Sequence, residues 1–543
     1  MLKWVVLVSA CLIGQTARAE ERTLISATQL RDAVYNRQVD RVETELEIAQ
    51  KAFEAGEITA DDMRVLFSIF AVTHPDLISF VGNWQEAHPA SPYAKVAQAW
   101  VYYRAGWIVR GNKSARQTHP EAMEKHRLLH HDSLELALEA YEENPKLIPA
   151  SDAIVLLGNT GGNKQRSFEV FDQTMQDVPN WGTIERAFTF THPGYGGSYE
   201  MGQAICEHYA PLAEHERNNL TRYCHIAFLI QRNPIREWPK MALALLKEEN
   251  DPDLDYLVFI ARLNNHPQTL EDAEYLRDYG DKHGFDTLRR ARYYDNNTAN
   301  RYGFAPKYFE MLEREKLRAK EALEHDPYSP ELLDILSQTS TRITKTQNGW
   351  RFAPDKNSPS PEQEIDFLVR RVVVAPYNPE QWGKLAHALE SLSRRSHRDG
   401  RDLIRWDDFY GNAVYYSQHD PKHLETFLHK KITQLMLFRG AREEGIKFNG
   451  WDIALRRVDE VNDIICPIIR AGRLLEFIRP QEPQNSAFVE QYQPIIDTLA
   501  REATQAGDCR QVLDADIEAL AFAPTVMDIG ALRKTFADAA STE

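Results

Sequence analysis

The sequence predicts an all-α protein, an α-solenoid of irregular antiparallel helix pairs. Three observations carry that prediction. Strand signals, meaning alternating Val, Ile and Thr bounded by turn residues, are scarce along the 543 residues. Apolar residues fall at helical spacing instead: between Tyr93 and Arg104, Val96, Ala97, Trp100 and Tyr103 recur at i, i+3 or i+4 steps. Helix-sized segments are separated by short turns marked by Pro or Gly, which suits stacked helix pairs.

The N-terminus reads as a secretory leader. Lys3 gives a positive start, Trp4 to Gly14 is apolar, and Ala17-Arg18-Ala19 is a small-x-small cleavage pattern. The run is short of the ~20 residues that span a bilayer as a permanent helix. The competing reading is a buried N-terminal helix. Val8-Ser9-Ala10-Cys11 resembles a lipidation site, but Cys11 sits mid-run, and cleavage there would leave too short a hydrophobic segment. Residues 1–19 are therefore expected to be removed after Ala19, in the periplasm of a Gram-negative bacterium. No other stretch is long and apolar enough to cross a membrane, so no membrane insertion is expected after cleavage.

The helical pattern continues through Leu134–Tyr141, Leu243–Leu246, Leu312–Leu323 and Ile453–Leu475. Ala322-Leu323-Glu324-His325-Asp326-Pro327 ends one helix, and Tyr328-Ser329-Pro330-Glu331 opens the next, with Leu333 and Leu336 following. The pattern recurs 49 residues on: Ala375-Pro376, then Tyr377-Asn378-Pro379-Glu380, Trp382 and Leu385. Similar helix ends occur at Ala140–Pro145 and Ala519–Pro524. His88-Pro89-Ala90-Ser91-Pro92 and His419-Asp420-Pro421 are looser echoes. The first Pro cannot continue a helix. The second fits the first turn of a new one, where its missing N–H is not needed. Trp382, Leu385, Ala386 and Leu389 have the W-x-x-L-(G/A)-x-x-(Y/L) spacing of a first repeat helix. This resembles the tetratricopeptide family, most clearly from Ala322 to Leu389, although the spacing departs from the family's regular repeat of about 34. An irregular helical bundle is the competing reading. The Pro- and Gly-bearing stretch 347–363 is expected as a linker between helical domains at 20–346 and 364–543. Charge-rich Ser393–Asp402 is a second candidate boundary.

Net charge weighs against one class of partner. Losing Lys3 and Arg18 with the leader takes it from −16 to −18. Such a balance argues against a nucleic-acid or anionic-lipid partner, since both need a basic footprint, and leaves room only for a local basic patch. At 10% aromatic and 27% charged, the composition is that of a folded protein. Cys206, Cys224, Cys466 and Cys509 survive cleavage, an even number that allows two disulfides in an oxidising compartment. Cys206–Cys224 is the first expected bridge. A turn centred on the polar stretch Glu214–Asn219 would bring these two residues opposite each other in a helical hairpin, whereas one centred nearer Pro211 would misalign them by about 12 Å, at ~1.5 Å per residue. Cys466–Cys509 is the second.

Two signatures remain. One runs from Trp84 through Pro89, Ser91, Ala97 and Ala99 to Trp107, Arg110 and Gly111. The other is Gly194-Tyr195-Gly196-Gly197-Ser198 with Met201. Together they resemble an uncharacterised bacterial family, classed as a domain of unknown function, with A-W-x-x-R-G and W-G-G-S-x-x-x-M motifs. The resemblance covers roughly Arg22 to Asn233 and departs from the family at Gly106 (Ala there) and Tyr195 (Trp there). That family has no assigned reaction, so the resemblance implies a fold and not an activity. From the residues alone, Trp107 and Arg110 share a helix face, Gly111 fits a C-terminal cap and Ser198 an N-cap. The bland reading is an Arg stacked on Trp and a tight turn. The sharper one is a pocket where Arg110 meets an anion beside an aromatic wall.

Other motifs fail. Gly158-Asn159-Thr160-Gly161-Gly162-Asn163-Lys164 lacks the second Gly and the hydroxyl of a phosphate-binding loop and reads as a turn. His126 and His130, at i and i+4, lack the Glu and third ligand of a zinc site and read as solvated. His208, His215 and His225 flank the first cysteine pair, where a disulfide is the better reading. No cofactor and no metal are expected. The expected function is a periplasmic helical-repeat scaffold that binds a protein or peptide partner without catalysis. The alternative is an enzyme or small-anion binder built on Arg110 and Tyr195–Ser198.

Overall fold

The computed structural model describes residues 24–72, 74–111, 115–231, parts of 316–336, and 341–346, 349–354, 359–395, 406–443, 459–478 and 486–524. The leader over 1–19, the helix expected at Leu243–Leu246, the start of that at Leu312–Leu323 and most of Ser393–Asp402 lie outside them. The described residues are all-α apart from one two-stranded ribbon.

The first five helices are α1 (Ala27–Tyr35), α2 (Val39–Glu54), α3 (Ala60–Phe67), α4 (Pro75–Ala87) and α5 (Pro92–Arg110). They begin where the sequence supplies caps. Ser26 with Gln29 and Thr59 with Asp62 form capping boxes, and Ser91 caps α5 with Pro92 in its first turn. Their inner faces, with the 3-10 turn that follows α3, bury Phe67, Phe70, Phe80 and Trp84. The Trp84 indole N–H donates to Glu43 at 2.7 Å, so this buried ring leaves no polar atom unpaired.

Helix α6 (Pro120–Glu143) packs antiparallel on α5. Ser133 bonds to Ala99, His130 to Tyr103 and His126 to Gly106, so partner numbers fall on one helix as they rise on the other. Next come α7 (Ile148–Leu157), α8 (Lys164–Asp177) and α9 (Trp181–Ala187). Helix α7 touches α3, α5, α6, α8 and α9 and is buried on nearly every side. That is the place for a helix apolar all round. Its one ionic residue, Asp152, is wholly buried and meets Arg64 of α3 at 2.8 Å and Arg186 of α9 at 3.1 Å. Arg64 also donates to Asn180 at 2.6 Å and Thr183 at 3.0 Å. A Cβ at Gly182 would stand 2.3 Å from that guanidinium, which accounts for the glycine inside α9.

Helices α10 (Tyr199–Tyr209) and α11 (Leu220–Gln231) are joined by the Cys206–Cys224 disulfide, with Cα atoms 5.5 Å apart. Strands β1 (Thr341–Thr346) and β2 (Gly349–Pro354) pair antiparallel, Thr346 opposite Gly349. The expected loop 347–363 therefore contains a strand and the first turn of a helix. Trp350 and Phe352 are good strand formers, and Pro354 stands at the strand's end, where a missing donor is tolerated.

The later helices are α12 (Pro361–Val374), α13 (Pro379–Arg395), α14 (Trp406–Tyr416), α15 (Pro421–Glu443), α16 (Cys466–Ile478), α17 (Ser486–Ala506) and α18 (Arg510–Leu513). Trp382, Leu385, Ala386 and Leu389 all lie in their shared core, as their spacing predicts. The second expected disulfide, Cys466–Cys509, ties the start of α16 to the residue before α18. The helix end expected at Ala519–Pro524 is only a 3-10 turn, Ile517–Leu520. No single described helix is long and apolar enough to cross a membrane. The bent pair Ala60–Phe70 and Pro75–Ala87 has the composition, but its Phe67, Phe70 and Phe80 are core residues.

Candidate functional site

Trp107 and Arg110 close α5 on one face. The Arg110 guanidinium carbon lies 5.3 Å from the Trp107 ring centroid, and one N–H donates to the Gly111 carbonyl at 3.2 Å. Gly111 ends the helix with φ +71°, its N–H bonded to the Trp107 carbonyl. Among the described residues no carboxylate pairs with Arg110. The Trp107 indole N–H is buried, with no acceptor among the described residues.

His126 and His130 are not solvated, as their spacing suggested, but buried beneath α5. The reason is that α6 turns this face onto Gly106, where a Cβ would come 2.3 Å from the His130 ring. Glycine is what lets the two helices approach there. The rings pack at a tilt against Trp107 and each other, with centroids 4.9 Å apart for Trp107–His126 and 4.0 Å for His126–His130. His126 Nδ1–H donates to the Gly106 carbonyl at 3.0 Å, and His130 Nε2–H to the Tyr103 carbonyl at 3.2 Å. His130 Nδ1 is then bare and accepts from the Thr160 hydroxyl at 2.7 Å. Burial above all, then the neighbouring His126, pushes His130 down to about 3, the Tyr103 carbonyl opposing in part. Burial lowers His126 as well. Both imidazoles are neutral at neutral pH, so the pair is a hydrogen-bonded core element rather than a cationic one.

The second signature is a turn folded hard against its own preceding segment. Gly196 has φ +77°. A Cβ on Gly197 would lie 2.2 Å from the Thr191 backbone, so no side chain fits. Ser198 caps α10 by accepting from the Met201 N–H at 3.2 Å, as expected. Tyr195 is exposed, its ring 5.4 Å from His192 and its carbonyl accepting from Lys164 at 2.9 Å.

The two signatures lean on one intermediary, the rejected phosphate-loop segment between α7 and α8. Thr160 holds His130 on the side of the first signature. On the other side the Asn159 amide donates to the Thr189 carbonyl, and Lys164 holds Tyr195. Gly161 lies where a Cβ would meet Leu134 at 2.9 Å. Sequence reasoning missed Asn159, Thr160 and Lys164. Their signal was a compact polar cluster at the end of an apolar helix. It also missed a triplet, Thr-His-Pro, at 73–75, 118–120 and 191–193.

No group of three or more His, Cys, Asp or Glu among the described residues is placed to hold a metal ion. Cys206 and Cys224 are committed to each other and cannot serve as ligands with His208, His215 or His225.

A family model described as a domain of unknown function (DUF4034) matches residues 17–157. That stretch contains the first signature, whereas Gly194–Ser198 lies beyond it. No curated protein matches the chain.

Proposed function

We propose that the chain is an exported periplasmic scaffold, a tetratricopeptide-like solenoid that binds a protein or peptide partner without catalysing a reaction. The observation that best supports this is the packing order. Among the described helices, extensive contacts run between chain neighbours, α5 to α6 to α7 to α8 and α12 to α13 to α14. Repeat arrays are built that way and expose long surfaces for a partner. The leader and the two disulfides favour an oxidising compartment. Intact mass of the protein from its native host tests export. The expected mass begins at Glu20. A retained Met1 or a lipid on Cys11 would overturn the periplasmic soluble reading.

One observation favours the second reading, a small-anion binder or enzyme: Arg110 lies over Trp107, and among the described residues no carboxylate pairs with it. Its other half, a single pocket shared with Tyr195–Ser198, has less support, since Thr160, Asn159 and Lys164 stand between them. Arg110→Ala separates the readings. If stacking on Trp107 is its role, stability falls by about 1 kcal/mol and partner binding falls only as folding does. Melting curves and calorimetric titration with phosphate and with a short acidic peptide check this. A fully folded variant that loses an affinity or turnover present in the parent would sink the scaffold reading.

A further inference from the structure

The three Thr-His-Pro triplets use their histidine in one way. His74 Nδ1 accepts from the Asp76 N–H at 2.9 Å, His119 Nδ1 from the Glu121 N–H at 3.4 Å, and His192 Nδ1 from the Gly194 N–H at 3.0 Å. An imidazole nitrogen accepts only while it is bare, so each cap requires a neutral ring. In two cases the ring also meets a tyrosine of the repeated Tyr-x-Pro-Glu turns far along the chain. His74 meets Tyr328 edge-on at 6.4 Å, and His119 stacks on Tyr377 at 6.2 Å.

Around His119 the contact is broad. Tyr415 and Tyr416 of α14 pack on the ring at 5.2 and 5.5 Å. The Tyr415 hydroxyl donates to Glu121 at 3.2 Å, and the Gln418 amide donates to the Thr118 carbonyl at 3.1 Å. The residue after Gln418 is His419, whose Nε2 accepts from the Phe522 N–H at 2.8 Å. The start of α6 thus docks on the turn between α14 and α15 over two imidazoles. Each is used as an acceptor for a backbone N–H.

We infer that this junction is an acid-released latch, closed by neutral His119 and His419 and opened when they take up protons. The groups facing His119 are Glu121 on its own helix, the hydroxyl-bearing rings of Tyr377, Tyr415 and Tyr416, and His419. Those facing His419 are Arg470 of α16 and His119. Glu121 and the tyrosine faces favour a cation. Opposing it are burial of the ring, loss of the cap bond, the positive N-terminal end of α6, and like charge from the other imidazole and Arg470. The opposing set prevails. Burial, only partly offset by Glu121, holds His119 below the usual imidazole range, and burial, then Arg470 and His119, does the same for His419. A histidine lowered in the closed form stabilises that form above the ordinary value of 6.5, and the contribution drains away as pH falls below it.

Amide exchange of the purified protein, corrected for its intrinsic pH dependence, tests the latch. From about pH 7.5 to about pH 5, the segments carrying Thr118–Glu121 and Gln418–Asp420 are expected to lose roughly tenfold protection or more, while α7 keeps its own. Asparagine's Oδ1 takes the place of the His119 Nδ1, and glutamine's Oε1 reaches as far as the His419 Nε2, on a left-handed backbone (φ +63°) like that of Gln418 (φ +57°). His119→Asn combined with His419→Gln should stay closed and flat across the range. Unchanged protection in the parent, or an equal loss in the double variant, would overturn the inference. If that variant does not fold, NMR titration of the parent imidazoles decides, and ordinary or raised values for both rings overturn it.

Discussion

Asp152→Ala is expected to lower stability by about 3–5 kcal/mol, as the breaking of a buried ionic network does. The carboxylate is wholly buried, and two guanidinium groups from different helices converge on it. Removing it leaves Arg64 and Arg186 partly buried without their shared counter-charge. Asp61 offers Arg64 only an exposed partner, at 2.7 Å. Asp152→Asn should fail similarly, because it keeps the shape and the acceptor for Thr183 but not the charge. Burial by itself would raise the Asp152 carboxyl. Arg186 and Arg64 more than offset that and hold it below the usual carboxylate range. A lowered carboxyl stabilises the fold above its unfolded-state value of about 3.9 and ceases to do so as pH drops through the lower folded value. The gap between parent and Asp152→Asn should therefore be full at neutral pH and close only below about pH 4. Urea denaturation across pH measures it. A gap under about 1 kcal/mol at neutral pH would show that water or side-chain movement relieves the stranded charges.

Trp382→Ala is expected to lose about 3–5 kcal/mol from the other core. Trp382 stacks on Tyr416 at 6.0 Å, meets Phe409 at 6.1 Å, and donates its indole N–H to the Pro376 carbonyl at 2.5 Å. Truncation opens a cavity between α13 and α14 and frees the turn that α13 grows from. The core of α12 to α18 and that of α1 to α8 are built from separate sets of residues. Damage should consequently appear first as lost amide protection in α12 to α15, with α1 to α5 protected at the same denaturant concentration. Trp382→Phe should recover much of the loss. Simultaneous loss in both regions would count against independent cores.

Caps and turns were the legible part of this molecule. Ser91-Pro92, Ser198 and Gly111 do what residues of their type do anywhere, because capping is decided within one helical turn. Cys206–Cys224 was legible for a similar reason: one hairpin and its polar turn set the separation. His126 and His130 were not. Their sequence neighbours are polar, and only the packing of α5 across that face, permitted by Gly106, takes them out of water. The Asp152 network is less legible still. Arg64, Asp152 and Arg186 are far apart in sequence, and a lone Asp in an apolar helix carries no mark of its partners. The strand Gly349–Pro354 was hidden by its glycine and proline, which suggest a loop until Thr341–Thr346 supplies the ribbon to pair with.

Helix α7 also bears on what counts as an autonomous folding unit. The stretch that resembles the uncharacterised domain stops at residue 157, the last residue of α7. The groups that complete its environment come later: Asn180, Thr183 and Arg186 around Asp152, and the helix α8 that packs along its side. A fragment excised at residue 157 would strip one flank of α7 bare, exposing apolar side chains together with a carboxylate that has lost one of its two guanidinium partners. The boundary that sequence similarity draws is thus not one at which the polypeptide can be cut. The smallest piece able to stand alone must extend at least through α9.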